Sequence, residues 1–460
     1  MKKKKTSPKV ILLSLLIVAL VGGIGFMSYK TFIADAPLKK LGYSYKEIQK
    51  LHKYGIDDEV TTYNQSLLYA LNSQEFDENN IHYYTIFDSQ MDLTRIANAL
   101  AKSYSVEELR SMKGYMSDEQ IESLVDYEKI SNLTAFQQIL AKQYSVEDSV
   151  ALANKLSADD LKYFLELYQL TSPQNYLRYL ANGYDNETIC LLFNKAGDET
   201  FNDLANIRHF DEIYEMVNSD LFKVEMLPRY LMYHRNTTST TITKSLSQVN
   251  SNHDVTTITD YSATYPKNPL TVSEYPDTVL VNKSHKLDSN YMPTGLVDVN
   301  ADYRYGPANL LPQADEAFRQ MADKLKEEVG TTILIASGYK SFQSCDTDYS
   351  KAITDSLDNP ELVDSYAFRA GFDESQTGLA IEVIEKGKTT ADFAKSKSAK
   401  WLNEHCAEYG FILRYPENRE FLTKINPSAY HFRYVGIEAA QIIQRYNWTL
   451  EEYSYLFNGD

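Results

Sequence analysis

Between about Ala36 and Tyr233, apolar residues recur three and four positions apart, the spacing that gathers them on one face of an α-helix. The pattern also repeats. Lys102-Ser-Tyr-Ser-Val-Glu-Glu108, Lys142-Gln-Tyr-Ser-Val-Glu-Asp148 and Asn182-Gly-Tyr-Asp-Asn-Glu-Thr188 follow one another forty residues apart, with Gly42-Tyr-Ser-Tyr-Lys-Glu47 as an earlier, less regular copy. Ser105, Ser145 and Asp185 sit where a helix N-cap belongs, and Glu108 and Asp148 stand three residues on, where a capping box is completed or imitated. Ser117-Asp-Glu-Gln120 and Ser157-Ala-Asp-Asp160 give a second start inside two of the units, the latter followed by Leu161, Phe164, Leu165 and Tyr168 at helical spacing. Two helices per forty-residue unit predict a short α-solenoid over 36–235. Tyr104, Tyr144 and Tyr184, one per unit, are expected as packing residues between units, with a binding stripe as the other reading.

Helical periodicity fades after Arg235. The Thr-, Ser- and Asn-rich run from Asn236 predicts a β-prone connector over 236–275. Beyond it the periods mix: a helix is expected over Ala314 to Glu328 and another over Ala391 to Tyr409, with strands at Thr331 to Ala336, Leu379 to Ile384, Phe411 to Arg414 and His431 to Val435. Short strands and helices without regular βαβ alternation predict an α+β domain with an antiparallel sheet over 276–460.

The N-terminus reads differently. A basic tail over 1–9, with Lys2 to Lys5 and Lys9, precedes Val10 to Met27, a run whose single polar member is Ser14. This predicts a transmembrane anchor over 10–30, single-pass in the cell membrane, with the C-terminal part extracellular; a signal peptide cleaved near Ala34-Asp-Ala36 is the alternative. The net charge of −17 grows more negative without the basic tail, which argues against nucleic acid as a partner. Cys190, Cys345 and Cys406 are too few and too scattered for a disulfide framework. His52, His82, His209, His234, His253, His285 and His405 show no metal-ligand spacing.

One constellation carries chemistry. Asp373-Glu-Ser-Gln-Thr-Gly-Leu-Ala-Ile-Glu382 and His431-Phe-Arg-Tyr-Val435 resemble the metal-binding core of the VanY-type D-alanyl-D-alanine carboxypeptidases. There the first segment runs Ser-x-His-x-x-Gly-x-Ala-x-Asp and the second Glu-x-x-His-x-Arg. The resemblance implies that two histidines and an aspartate hold zinc and that the glutamate is the general base. Gly378, Ala380, His431 and Arg433 match; Ser375 stands at the first histidine, Glu382 at the aspartate and Ser428 at the glutamate. Glu382 and His431 are thus the remaining metal candidates, and no confident catalytic residue is left. Ser337-Gly-Tyr-Lys-Ser341 is similar to the Ser-Gly-Tyr-Arg-Ser segment that holds the substrate carboxylate in active relatives, with Cys345 where they have glutamine. Lys340, Ser341, Cys345, Gln376 and Arg433 are the substrate-binding candidates by that resemblance, and Lys340 keeps the charge of arginine without its planar fork.

A catalytic zinc needs three protein donors and an open position for water, and a neutral serine hydroxyl is a poor third. Zinc is therefore expected to bind weakly or not at all. General-base catalysis is worth ~100- to 10,000-fold, and Ser428 cannot supply it near neutral pH. The expectation is a wall-facing, D-alanyl-D-alanine carboxypeptidase-like pseudoenzyme that binds a peptidoglycan stem peptide or a cell-envelope protein. Two alternatives stand beside it: an active zinc D,D-carboxypeptidase with substituted ligands, and a scaffold in which the helical repeats bind the partner.

Overall fold

Ser44, Ser105, Ser117 and Ser157 each accept a hydrogen bond from the backbone N–H three residues on, and the side chain at that third position returns one to the cap's own N–H. Ser145 and Asp185 make the first half of the same arrangement, with Asp148 and Thr188. The helix starts thus fall where the repeat places them. The computed structural model describes residues 33–87, 92–167, 172–237, 240–251 and 265–459, and the chain divides into two compact units, 1–168 and 169–460.

In the first unit, short helices from Tyr45–Tyr54 to Ala158–Glu166 bury one face each, with Leu51, Leu109, Ile121, Phe136 and Phe164 fully enclosed. Tyr104 is buried as well, and its Oη accepts the N–H of Ile130 at 3.0 Å. The Tyr144 ring packs 5.4 Å from that of Phe164. In the second unit the buried Tyr184 donates its hydroxyl to the Arg208 carbonyl at 2.6 Å. These rings and their bonds make the repeated tyrosine a packing residue.

The second unit joins the last helices of the repeat pattern to the α+β part. Its sheet has four strands, β1 (Ile333–Ser337), β2 (Ala380–Glu385), β3 (Phe411–Tyr415) and β4 (Ser428–Tyr434), in the order β1-β2-β4-β3 and antiparallel throughout. One face is apolar: Ile333, Ile335, Ile381, Val383 and Phe432 close against Phe318, Met321 and Leu325 of helix α1 (Pro312–Val329) and Leu402 of helix α3 (Lys397–His405), with helix α2 (Phe342–Asp355) between β1 and β2 in sequence. The alternation of a strand then sends Glu382 and His431, direct partners across β2 and β4, to the opposite face. Helices α4 (Ile437–Tyr446) and α5 (Leu450–Phe457) follow β4.

These last helices hold the helical region of the same unit. Arg229 Nε lies 2.6 Å from Glu452 Oε1 in a pair that is almost wholly buried. The Trp448 indole N–H donates to the Glu225 carbonyl at 2.8 Å, the Arg208 N–H to Leu456 O at 3.1 Å, and Arg445 pairs with Asp203.

Three expectations require correction. The 391–409 helix is three pieces, Thr390–Ala394, Lys397–His405 and Cys406–Tyr409, because the Ser396 hydroxyl accepts the Ala399 N–H and restarts the helix. The β-prone connector carries a helix at Ile242–Ser251, whose Ser245, Leu246 and Val249 turn to one buried face. The membrane anchor is overturned: among the described residues no helix is long and apolar enough to cross a membrane, and the 10–30 span lies outside them. Among the described residues the fold is accordingly a helical region with a C-terminal α+β domain and without a membrane-spanning helix, and the single-pass membrane localisation is not carried forward.

Candidate functional site

Between β1 and β2 the chain makes a short 3-10 turn, Glu374–Thr377. Asp373 caps it, its Oδ1 accepting the Ser375 N–H at 2.9 Å. Gly378 closes it at φ +72°, a left-handed backbone that favours glycine, and a Cβ there would press on the Leu296 methyl at 2.8 Å. The turn drives Glu374 inward to complete burial and leaves Ser375, itself buried, lining a cavity.

Glu374 is the centre of a buried charge network. Its Oε2 accepts from Arg414 Nε at 2.8 Å and from Arg433 Nη1 at 3.2 Å, and its Oε1 lies 3.0 Å from His431 Nε2. Arg414 in turn forks onto Glu451 of α5 at 2.7 and 3.0 Å. Burial opposes charge on Glu374, but Arg414, His431 and Arg433 outweigh it and hold the carboxyl far below its usual range. His431 is likewise opposed by burial and favoured by Glu374 and Glu382, and its pKa is pushed up to about 9.

The cavity itself, about 190 Å³, is lined by Lys340, Cys345, Ser375, Glu382, Ser428 and His431 among the expected site residues, together with Asp348, Asp373 and an aromatic set that includes Tyr366, Phe368 and Tyr415. The fold therefore brings together Ser375, Glu382, Ser428 and His431, from two segments of sequence. Lys340 Nζ is drawn onto Asp348 Oδ2 at 2.9 Å. Burial works against its ammonium, and Asp348, Asp373 and Glu382 restore it, raising the pKa above the ordinary value. The Cys345 thiol is 3.6 Å from Asp373 Oδ2, and burial, then Asp373, pushes it well above the usual thiol range.

Three of the expected substrate-binding residues stand elsewhere. Arg433 is fully buried and spent on Glu374 and on the carbonyls of Asp277, Val279 and Tyr434. Gln376 is buried with its Oε1 accepting the Gly371 N–H at 2.7 Å. Ser341 is the N-cap of α2, accepting the Ser344 N–H at 3.1 Å. None of the three lines the cavity.

The zinc that the resemblance implies does not fit the donors present. His431 offers Nδ1, 3.8 Å from Glu382 Oε1, and Ser375 offers a neutral hydroxyl. Cys345 is a buried, protonated thiol turned to Asp373. Of the family's three ligand positions only Glu382 and His431 hold competent donors, and among the described residues no three His, Cys, Asp or Glu side chains gather as a metal-holding group. Sequence reasoning missed Glu374, Arg414 and Glu451. Glu374 had a signal, since it lies between two residues of the quoted motif; the arginine and the second glutamate had none, because only the fold brings β3 and α5 to it.

Comparison with known proteins agrees with the motif. A family model described as VanY, D-alanyl-D-alanine carboxypeptidase, matches residues 308–437. The chain is 34% identical over 184 residues to a putative carboxypeptidase, YodJ, of Bacillus subtilis, covering 38% of this chain and 65% of the relative, and so spans less than two thirds of that protein's length. It is 33% identical over 183 residues to the bifunctional D-Ala-D-Ala dipeptidase and D-Ala-D-Ala carboxypeptidase VanXYC of Enterococcus gallinarum, covering 38% of this chain and 91% of the relative. Among solved structures, the LdcB LD-carboxypeptidase is 29% identical, covers 43% of this chain and 96% of its own, and superposes with a TM-score of 0.39. The D,D-pentapeptidase VanY of a VanB-type resistance cassette, solved with Zn(II), is 23% identical, covers 39% and 99%, and gives 0.34.

Proposed function

The chain belongs to the VanY family of D-alanyl-D-alanine carboxypeptidases, and from that membership we propose that its C-terminal domain binds a peptidoglycan stem peptide in the Lys340–His431 cavity without efficient hydrolysis. One observation carries the reading. The cavity is open and polar, yet the side chains standing at the family's first zinc histidine and general base are the hydroxyls of Ser375 and Ser428. A hydroxyl neither completes a zinc site nor takes a proton from water near neutral pH. Each loss alone removes orders of magnitude in rate, and the two act on the same step.

A working zinc carboxypeptidase is the second reading, and Glu374 is what favours it. A carboxylate on one ring nitrogen of a histidine fixes the ring and turns the other nitrogen outward, the support that metal-ligating histidines receive; here Glu374 takes Nε2, and Nδ1 faces Glu382. The purified full chain decides between them. The proposal expects substoichiometric zinc after dialysis against a weak chelator, no chelator-sensitive release of D-alanine from a pentapeptide ending in D-Ala-D-Ala, and saturable binding of that peptide. Near-unit zinc with chelator-sensitive release establishes the second reading. Absence of both binding and release leaves neither.

A further inference from the structure

Tyr415 closes β3 and Ser428 opens β4, and the two are direct partners across the ladder. The register slips beside them: from Leu413↔Phe432 to Tyr415↔Ser428 the chain advances 415 − 413 = 2 residues on β3 and 432 − 428 = 4 on β4. Such a bulge re-aims side chains, and here it leaves Ser428, Tyr430 and His431 all lining the cavity with Tyr415. Tyr415 is 2% exposed, its ring held edge-on to His431 at 5.0 Å and beneath the Arg414 guanidinium at 4.8 Å.

Both hydroxyls are shut off from solvent, and among the described residues neither Tyr415 Oη nor Ser428 Oγ has a hydrogen-bond partner. A buried hydroxyl without a partner is destabilising, and phenylalanine or alanine at these positions would remove the defect without disturbing the ring or strand. The pair is thus unexplained by the stability of the chain on its own. Tyr415 and Ser428 also line the cavity, where the Lys340 ammonium is drawn onto Asp348.

We propose that Tyr415 and Ser428 form a two-hydroxyl subsite that donates to one oxygen-bearing group of the bound ligand, a carboxylate or peptide carbonyl. The assignment rests on the reading of the cavity as a stem-peptide site. In it Ser428 becomes a specificity-determining contact where the family places a base, and Tyr415 becomes its partner.

The test uses the full chain and calorimetric titration with a stem pentapeptide ending in D-Ala-D-Ala, as the free acid and as the C-terminal amide. Tyr415→Phe and Ser428→Ala are each expected to weaken binding of the acid about threefold to tenfold, the size of one net hydrogen bond. Both are also expected to leave the Tm of the ligand-free protein unchanged or raised. If the amide binds as the variants do and loses nothing further on mutation, the group is the terminal carboxylate; if acid and amide lose alike, it is a peptide carbonyl. Affinity unchanged in both variants, or a fall in Tm that accounts for the loss, overturns the subsite while leaving the stem-peptide reading intact. Failure of the unmodified chain to bind either peptide removes that reading and the subsite with it.

Discussion

His431 Nε2 lies 3.0 Å from Oε1 of Glu374, a carboxylate with no exposure at all. Burial disfavours the imidazolium, Glu374 and Glu382 more than offset it, and the pKa rises from 6.5 to about 9. The folded state then keeps a proton that the unfolded chain releases. The stabilisation is fully present below pH 6.5 and is lost as pH rises through about 9. A titration of the His431 ring followed by NMR is expected to show a midpoint near 9, and one near 6.5 would contradict the geometry. Glu374→Gln should lower the midpoint and destabilise by ~3 kcal/mol or more, since Arg414 and Arg433 would be left buried with less than their opposing charge.

How much of this site was legible beforehand follows from what each residue depends on. Gly378, Ser375, Glu382 and His431 were legible through the resemblance to the family's two motifs, and the fold sets a left-handed turn at Gly378 and pairs Glu382 with His431 across two strands. The strands were placed to within three residues because period-two alternation is a local signal. Arg433 was read as a substrate contact, and the structure buries it, since whether an arginine at a strand's end faces a cavity or a carboxylate depends on where Glu374 lies. The Tyr415–Ser428 pairing depends on a register slip, for which alternation gives no warning. The 242–251 helix was hidden by its Ser and Thr content, and tertiary burial of Leu246 and Val249 overrode the propensity.

Arg229 and Glu452 bind the helical region of the second unit to its last helix through a buried pair. Breaking such a pair from one side leaves an uncompensated charge, worth ~3–5 kcal/mol. Arg229→Ala is therefore expected to lower the urea midpoint markedly, and Glu452→Gln to do the same. A fragment beginning at residue 276 should lose the cooperative unfolding of one beginning at residue 172. Equal stability in the two fragments would mean that Arg229, Glu225 and Arg208 only decorate the domain.

Lys283 gives a second pH dependence, of opposite sign. Its Nζ donates to the carbonyls of Asp364 at 2.5 Å and Lys424 at 2.8 Å, so it ties the two stretches that continue into Tyr366–Phe368 and Ile425–Ser428 of the cavity wall. Burial lowers its pKa from 10.5 to about 8, against the pull of Asp364 and with the push of Arg369 and Lys424. Between those values the unfolded chain holds the extra proton, so folding gains stability as pH rises from 8 to 10.5, at a slope of up to ~1.4 kcal/mol per pH unit. Denaturation curves at pH 8 and pH 10 are expected to show this gain in the unmodified chain and lose it in Lys283→Met; identical slopes would discard the account.

Restoring the family's residues tests whether the frame still serves the chemistry. Ser375→His supplies a nitrogen beside His431 Nδ1 and Glu382, Glu382→Asp sets the family's shorter carboxylate, and Ser428→Glu returns a base at the cavity wall. Glu374 already holds Nε2 of His431, so a metal at Nδ1 would only have to displace that nitrogen's proton into solvent. Metal and base act as one unit, which makes the effects strongly non-additive: each single variant should gain little, and the triple variant should retain zinc and release D-alanine from the pentapeptide. Ser428→Glu also removes one hydroxyl of the proposed pair, so the triple variant should bind peptide less tightly before it cleaves it. Donors must lie within ~0.5 Å of productive geometry, and the Gly378 turn and the Glu374 network are what hold them there. Zinc retained without turnover in the triple variant would mean that the metal site was recovered and the base was not, since Ser428 opens a bulged strand that steers its side chain differently from a regular one.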